Sequence, residues 1–137
     1  MKPALGLVKR PLLARPFVIV ESPFAGDEAT HLIYLRRALR DAWAAGELPL
    51  ASHGYFPFFL RESDPLEREA GIQAGFQLWP LASRIIFYTD YGMSKGMEAA
   101  LDRATHRRIE VRVRSIGKNI PAPAGRSGEN SSQPTGA

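Results

Sequence analysis

The chain has 137 residues, 45% hydrophobic and 23% charged, with a formal net charge of +4 and no cysteine. That size and composition fit one ordinary globular domain with a real core. The missing cysteine excludes a disulfide framework, a thiolate metal site and a cysteine nucleophile.

Residues 1–16 are basic and mildly apolar, broken up by prolines and arginines. They make neither a signal peptide nor a membrane span, and read as a flexible arm. No membrane partner is expected, and the cytoplasm is the default location (that of a bacterial host if a phage encodes the chain). Phe17-Val18-Ile19-Val20 is a continuous apolar run, as expected of a strand buried on both faces. Asp27 can cap a helix reaching about Ala45, with Leu32, Leu35, Leu39, Ala42 and Trp43 at helical spacing and Gly46 closing it. "LPLAS" at 48–52 is a weak second strand, and "HGYFPFFLRES" at 53–63 an aromatic loop.

Asp64-Pro65 starts the next helix, an N-cap followed by a proline at the first position, with Glu67 and Glu69 at the positive end. It runs to about Trp79-Pro80. Arg84 to Thr89 is the third strand. Ser94 caps a third helix, to about Arg107, and Ile109 to Val113 is the fourth strand. Residues 118–137 have no aromatic and no periodicity and read as a disordered tail, leaving a domain over 17–117.

Strands alternating with helices predict an α/β fold: a compact, Rossmann-like three-layer sandwich around a mainly parallel sheet of four to five strands. Ligands of such sheets bind outside the carboxyl ends of the strands. That rim collects Glu21, Ser22, Gly26, Asp27, His53, Asp90, Ser94, Gly96 and Glu98.

Two loops there, "ESPFAGDE" at 21–28 and "DYGMSKGME" at 90–98, raise the same question. Each is either a turn or a seat for an anion on a helix N-terminus. Ser94-Lys95-Gly96 offers free backbone N–H groups, a hydroxyl and an approachable glycine for a phosphate or carboxylate. A plain N-cap followed by a small residue is the structural alternative. Neither GxxxxGK[ST] nor G-x-G-x-x-G is present, which excludes a P-loop and the standard dinucleotide fingerprint. Glu21 directly follows a buried strand, so its carboxyl is desolvated and suited to acid or base work, unless an arginine pairs with it or it caps a neighbouring loop.

His31, His53 and His106 lack metal-ligand spacing. His53, at a strand end, is the candidate for ligand contact; His31 reads as packing and His106 as surface. Tyr55, Phe56, Phe58 and Phe59 form either a core plug or a base-stacking wall. The basic residues of both ends, Lys2, Lys9, Arg10 and Arg15, then Arg107, Arg108, Arg112, Arg114 and Lys118, fit a solvated surface. Nucleic acid is the lesser expectation, because no aromatics are interleaved with them.

Three pieces in this order, "ESPFAGDEATHLIYLRRAL", "ASHGYFPFFLRESDPLEREAGIQAG" and "YTDYGMSKGMEAALDRA", resemble the nucleoside 2-deoxyribosyltransferase-like superfamily, which includes nucleoside-monophosphate N-glycosidases. They are most similar to a bacteriophage-type branch with an SPYAGD-like first loop. The resemblance spans roughly residues 17 to 115. It implies a Rossmann-like sheet, a homo-oligomer with sites near subunit contacts, and cleavage or transfer at a nucleoside C1′. There a carboxylate attacks or stabilises an oxocarbenium-like centre. It also implies that Ser94 and Gly96 hold a 5′-phosphate and that Asp90 matches an acidic residue of the same loop.

One position departs from the family pattern. Its catalytic glutamate stands four residues after the glycine, which here is Ala100. At about 100° per residue Glu98 lies on nearly the opposite face of the helix and does not replace it within one subunit. The carboxylate has moved to Glu21, arrives as Glu98 from another subunit, or has been lost.

Three readings follow. The first is a nucleotide N-glycosidase or deoxyribosyltransferase relative, with Glu21 as catalytic carboxylate, Asp90 assisting and Ser94 and Gly96 on phosphate. The second is a catalytically silent nucleotide-binding protein that senses or sequesters its ligand. The third is a nucleic-acid accessory protein using the basic ends. No metal or organic cofactor is implied.

Overall fold

The computed structural model describes residues 15–118. The arm over 1–14 and the tail over 119–137, with Lys2, Lys9 and Arg10, lie outside the described residues.

The order is β1 (Phe17–Glu21), α1 (Glu28–Ala44), β2 (Leu48–Leu50), α2 (Ser52–Tyr55), α3 (Pro65–Gln77), β3 (Arg84–Tyr88), α4 (Lys95–His106) and β4 (Val111–Arg114). Single 3-10 turns cover Phe56–Phe58 and Trp79–Leu81. The sheet has four strands in the order β2-β1-β3-β4, all parallel. β1 and β3 are central and covered on both faces, which is why both are continuous apolar runs. Pro49 sits in the edge strand β2, where a missing N–H costs no central ladder bond.

The apolar side chains divide between the two faces. Val18, Val20, Ile86 and Tyr88 pack with Tyr34, Leu35, Ala38 and Ala42 of α1. Ile19, Ile85 and Phe87 pack with Trp79 and with Met97, Ala100 and Ala104 of α4, and Phe76 of α3 joins them. The result is the expected three-layer α/β sandwich, with α1 on one face and α3 and α4 on the other.

Caps fall where the sequence placed them. Asp27 accepts from the Thr30 N–H at 3.2 Å, Asp64 from Leu66 N–H at 2.9 Å and Ser94 from Met97 N–H at 3.2 Å. Gly46 closes α1 with φ of +87°, a conformation that only glycine adopts freely.

Two expectations are corrected. The buried stripe of α1 is Tyr34, Leu35, Ala38 and Ala42, while Leu32 and Trp43 are nearly half exposed. The aromatic stretch at 53–63 is not a plain loop: α2 and the 3-10 turn occupy most of it. α3 approaches it through glycine, since a Cβ on Gly75 would stand 2.8 Å from Ser52 Cβ and one on Gly71 3.3 Å from Phe56 Cβ.

Glu47, just before β2, is a buried carboxylate that ties the sheet together, pairing with Arg84 of β3 and Arg114 of β4. Burial alone would raise its pKa; the two guanidiniums outweigh that and lower it. Arg112 pairs with Glu110. Arg112 and Arg114 of the basic end are therefore already engaged by carboxylates.

Candidate functional site

In this topology β1 leads into α1 on one face, whereas β3 leads into α4 on the other. The strand order therefore reverses between β1 and β3. A crevice is expected outside the carboxyl ends of those two strands. A cleft of about 710 Å³ opens there, between the β1–α1 loop, α2, α3 and the N-terminus of α4. That volume is in the range of small-molecule sites.

Glu21 lies at its base. In register it pairs with Phe87, and it shares the face of Ile19 two residues earlier, so the carboxyl points to the α3/α4 side. No hydrogen bond or ion pair to it is present among the described residues, and burial pushes its pKa up to about 7. Ser22 follows and is buried. Its Oγ lies 2.8 Å from Nε2 of His53, which α2 carries. Burial lowers the His53 pKa to about 4, so the ring is neutral at pH 7, and its Nδ1 is enclosed without a partner.

The opposite wall is the first turn of α4, with Ser94, Lys95 and Gly96. Gly96 has an ordinary helical setting and open space where a Cβ would go, the nearest atom being Ser94 Oγ at 4.0 Å. Packing therefore does not require glycine there. The apolar walls are Phe24, Phe56, Phe76 and Trp79. Glu28, Glu62, Glu67 and Arg68 stand around the mouth, with Arg68 3.5 Å from Glu62.

Six of the nine rim candidates thus meet in one cleft: Glu21, Ser22, Gly26, His53, Ser94 and Gly96. The other three do not. Asp27 is spent on Thr30, whose side-chain and backbone hydrogen bonds lower its pKa. Glu98 is exposed on α4 and does not line the cleft.

The expectation for Asp90 is corrected most plainly. Its carboxylate turns to the α1 side and accepts from Tyr34 Oη, from Ser115 Oγ, and from the Ile116 and Gly117 N–H groups at 2.9 and 2.7 Å. Burial works against the charge, but these donors prevail and hold its pKa far below the usual carboxylate range. Asp90 fastens the segment after β4 to the body of the fold.

Ala100 lines the cleft although it is buried in the α4 packing. Of the aromatic stretch, Phe56 forms cleft wall, while Tyr55, Phe58 and Phe59 are exposed. His31 packs, with Nδ1 3.0 Å from the Phe24 carbonyl, and His106 is at the surface. Sequence reasoning missed Arg68, Phe76 and Trp79 as cleft residues. Their only local signal was a place in α3 or in the 3-10 turn that follows it.

Among the described residues no group of three or more His, Asp or Glu is placed to hold a metal ion. No helix among them is long and apolar enough to cross a membrane. Residues 16–114 match the sequence model of a domain of unknown function (DUF7768), and the chain belongs to that family. No curated protein matches the chain, and no solved structure does.

Proposed function

We propose that this member of the DUF7768 family binds a nucleoside or nucleoside monophosphate in the cleft and acts on its N-glycosidic bond. One observation carries the reading: a desolvated carboxyl with no partner among the described residues, Glu21, lines the same cleft as the N-terminus of α4. The first turn of α4 suits a phosphate, through the unpaired N–H groups, the Ser94 hydroxyl and the Lys95 charge. The aromatic walls suit a planar base.

Glu21 would then stand at the sugar. In its ionised form it attacks C1′ or stabilises the positive charge that develops there; the C1′–N bond breaks, and its electron pair leaves with the base. Water, or a free acceptor base, then bonds to C1′, the Glu21 carboxylate is released, and the proton lost by the acceptor balances the one taken up by the departed base. A neutral His53 beside Ser22 supplies hydrogen bonding without a competing charge.

A second reading rests on Ala100. With no carboxylate at that cleft-lining position, the domain binds a nucleotide and leaves it intact. The homo-oligomer expected from the resemblance belongs to this proposal as well, because Glu98 reaches a cleft only across a subunit contact.

The deciding experiment is base release. The protein and its Glu21→Gln variant are incubated with ribo- and deoxyribonucleoside monophosphates, and free base is followed by chromatography. Release that disappears in the variant supports the enzyme. Release unchanged by the variant removes Glu21 from the chemistry. No release, with calorimetric binding of one nucleotide, selects the binding reading. Neither release nor binding sinks both.

A further inference from the structure

The Ser22–His53 pair carries a more specific conclusion, which rests on the nucleotide reading above. His53 has two neutral tautomers. With the proton on Nδ1, an N–H donor is enclosed with no acceptor, because Nδ1 has no partner among the described residues. With the proton on Nε2, the enclosed atom is only a lone pair, and the ring donates to Ser22 Oγ at 2.8 Å. Orphaned buried N–H groups are the rarer and costlier of the two, so the Nε2–H tautomer prevails. Ser22 Oγ then accepts from His53, and its own proton is left over. It has no other partner among the described residues, although Ser22 is 4% exposed and lines the cleft.

Glu21, the preceding residue, lines the same cleft and also has no side-chain partner among the described residues. A donor and a carboxylate lining one cleft, neither partnered among the described residues, are complementary to a group that accepts and donates at once. A hydroxyl does both. We propose that Ser22, oriented by His53, and Glu21 together read a sugar hydroxyl of the ligand. Ser22 is thereby a specificity-determining residue, and His53 a positioning residue that acts through it. The ligand's anionic end lies at the opposite wall, on Ser94, Lys95 and Gly96. Ser22 is buried, so a ligand that fills the cleft but lacks the hydroxyl covers both groups without pairing them, and discrimination follows.

The test has two arms. The first is long-range ¹⁵N–¹H NMR of the His53 ring in the free protein, which reports the tautomer whatever the ligand is. An Nε2–H ring supports the proposal, and an Nδ1–H ring overturns it. The second is calorimetry with adenosine, guanosine, cytidine and uridine 5′-monophosphates, followed by the 2′-deoxy and 3′-deoxy forms of the tightest binder.

Ser22→Ala is expected to weaken the parent ligand about five- to tenfold, and one deoxy form by less than about twofold. His53→Gln, which keeps an N–H near the Nε2 position, is expected to preserve the discrimination, and His53→Phe to abolish it. Equal weakening of every form by Ser22→Ala overturns the hydroxyl reading while leaving nucleotide binding in place. If no nucleotide binds the wild type, the functional reading falls and takes the sugar assignment with it.

Discussion

Glu21 of β1 stands in register with Phe87 of β3, side by side on the α3/α4 face of the sheet. Asp90, three residues beyond Phe87, turns to the α1 face and meets Tyr34. Two acidic residues at the ends of adjacent strands therefore have unrelated duties. One is unpaired in a cleft, and the other is saturated with donors.

Asp90→Asn should destabilise the protein without touching the cleft. It removes the charge that accepts from Tyr34, Ser115, Ile116 and Gly117. A loss of about 2–3 kcal/mol at pH 7 is expected from urea denaturation. The folded-state pKa is depressed, so this stability is present above the unfolded value of 3.8 and is lost as pH falls through the folded value. The gap between wild type and variant should narrow in acid. Weakened nucleotide binding in a still-folded variant would return Asp90 to the site.

Glu21→Gln isolates a pH effect of opposite sign. Folding raises the Glu21 pKa from 4.5 to about 7, so its penalty is absent below the unfolded value and grows as pH rises to the folded one. His53 contributes the reverse: its pKa falls from 6.5 to about 4, and stability is lost as pH drops across that interval. Their slopes nearly cancel from pH 4.5 to 6.5 in the wild type. The variant should gain on the wild type by up to about 3 kcal/mol between pH 4.5 and 8. A constant difference in denaturation midpoints across that range would show that Glu21 is not desolvated.

Gly96→Ala should separate stability from binding. Open space surrounds the missing Cβ, and the residue lies in the first turn of α4. Replacing a helical glycine by alanine is expected to stabilise by roughly 0.5–1 kcal/mol. The same methyl would stand between an anion and the backbone N–H groups, and should weaken phosphate-bearing ligands about tenfold. A higher melting temperature with undiminished affinity would place the anion elsewhere.

Glu47→Ala tests the buried bridge. The Glu47 side chain is 3% exposed and holds both Arg84 and Arg114. Its removal leaves Arg84 with only Glu110 at 3.8 Å and Arg114 with only the Tyr88 hydroxyl at 3.5 Å, and a loss of about 2–3 kcal/mol is expected in equilibrium unfolding. A loss under about 1 kcal/mol would mean that water takes over both arginines.

The order of β1, α1, β2, α3, β3, α4 and β4, the caps and the parallel sheet were legible in the sequence because their causes are local, whereas α2 was read as loop. Asp27, Asp64 and Ser94 each satisfy an N–H two or three residues on, and the runs at 17–20 and 84–89 carry their own burial. The same logic brought six of nine rim residues to one cleft. The tertiary structure decided which face each carboxylate meets. Strand side chains alternate with a period of two, so one step of register exchanges the faces, and no local pattern fixes the register between strands more than 60 residues apart. Chain folding also brought His53 to Ser22, Arg84 and Arg114 to Glu47, and residues 115–117 to Asp90. Each of these pairs satisfies a polar group that its own neighbours in the chain leave unpaired.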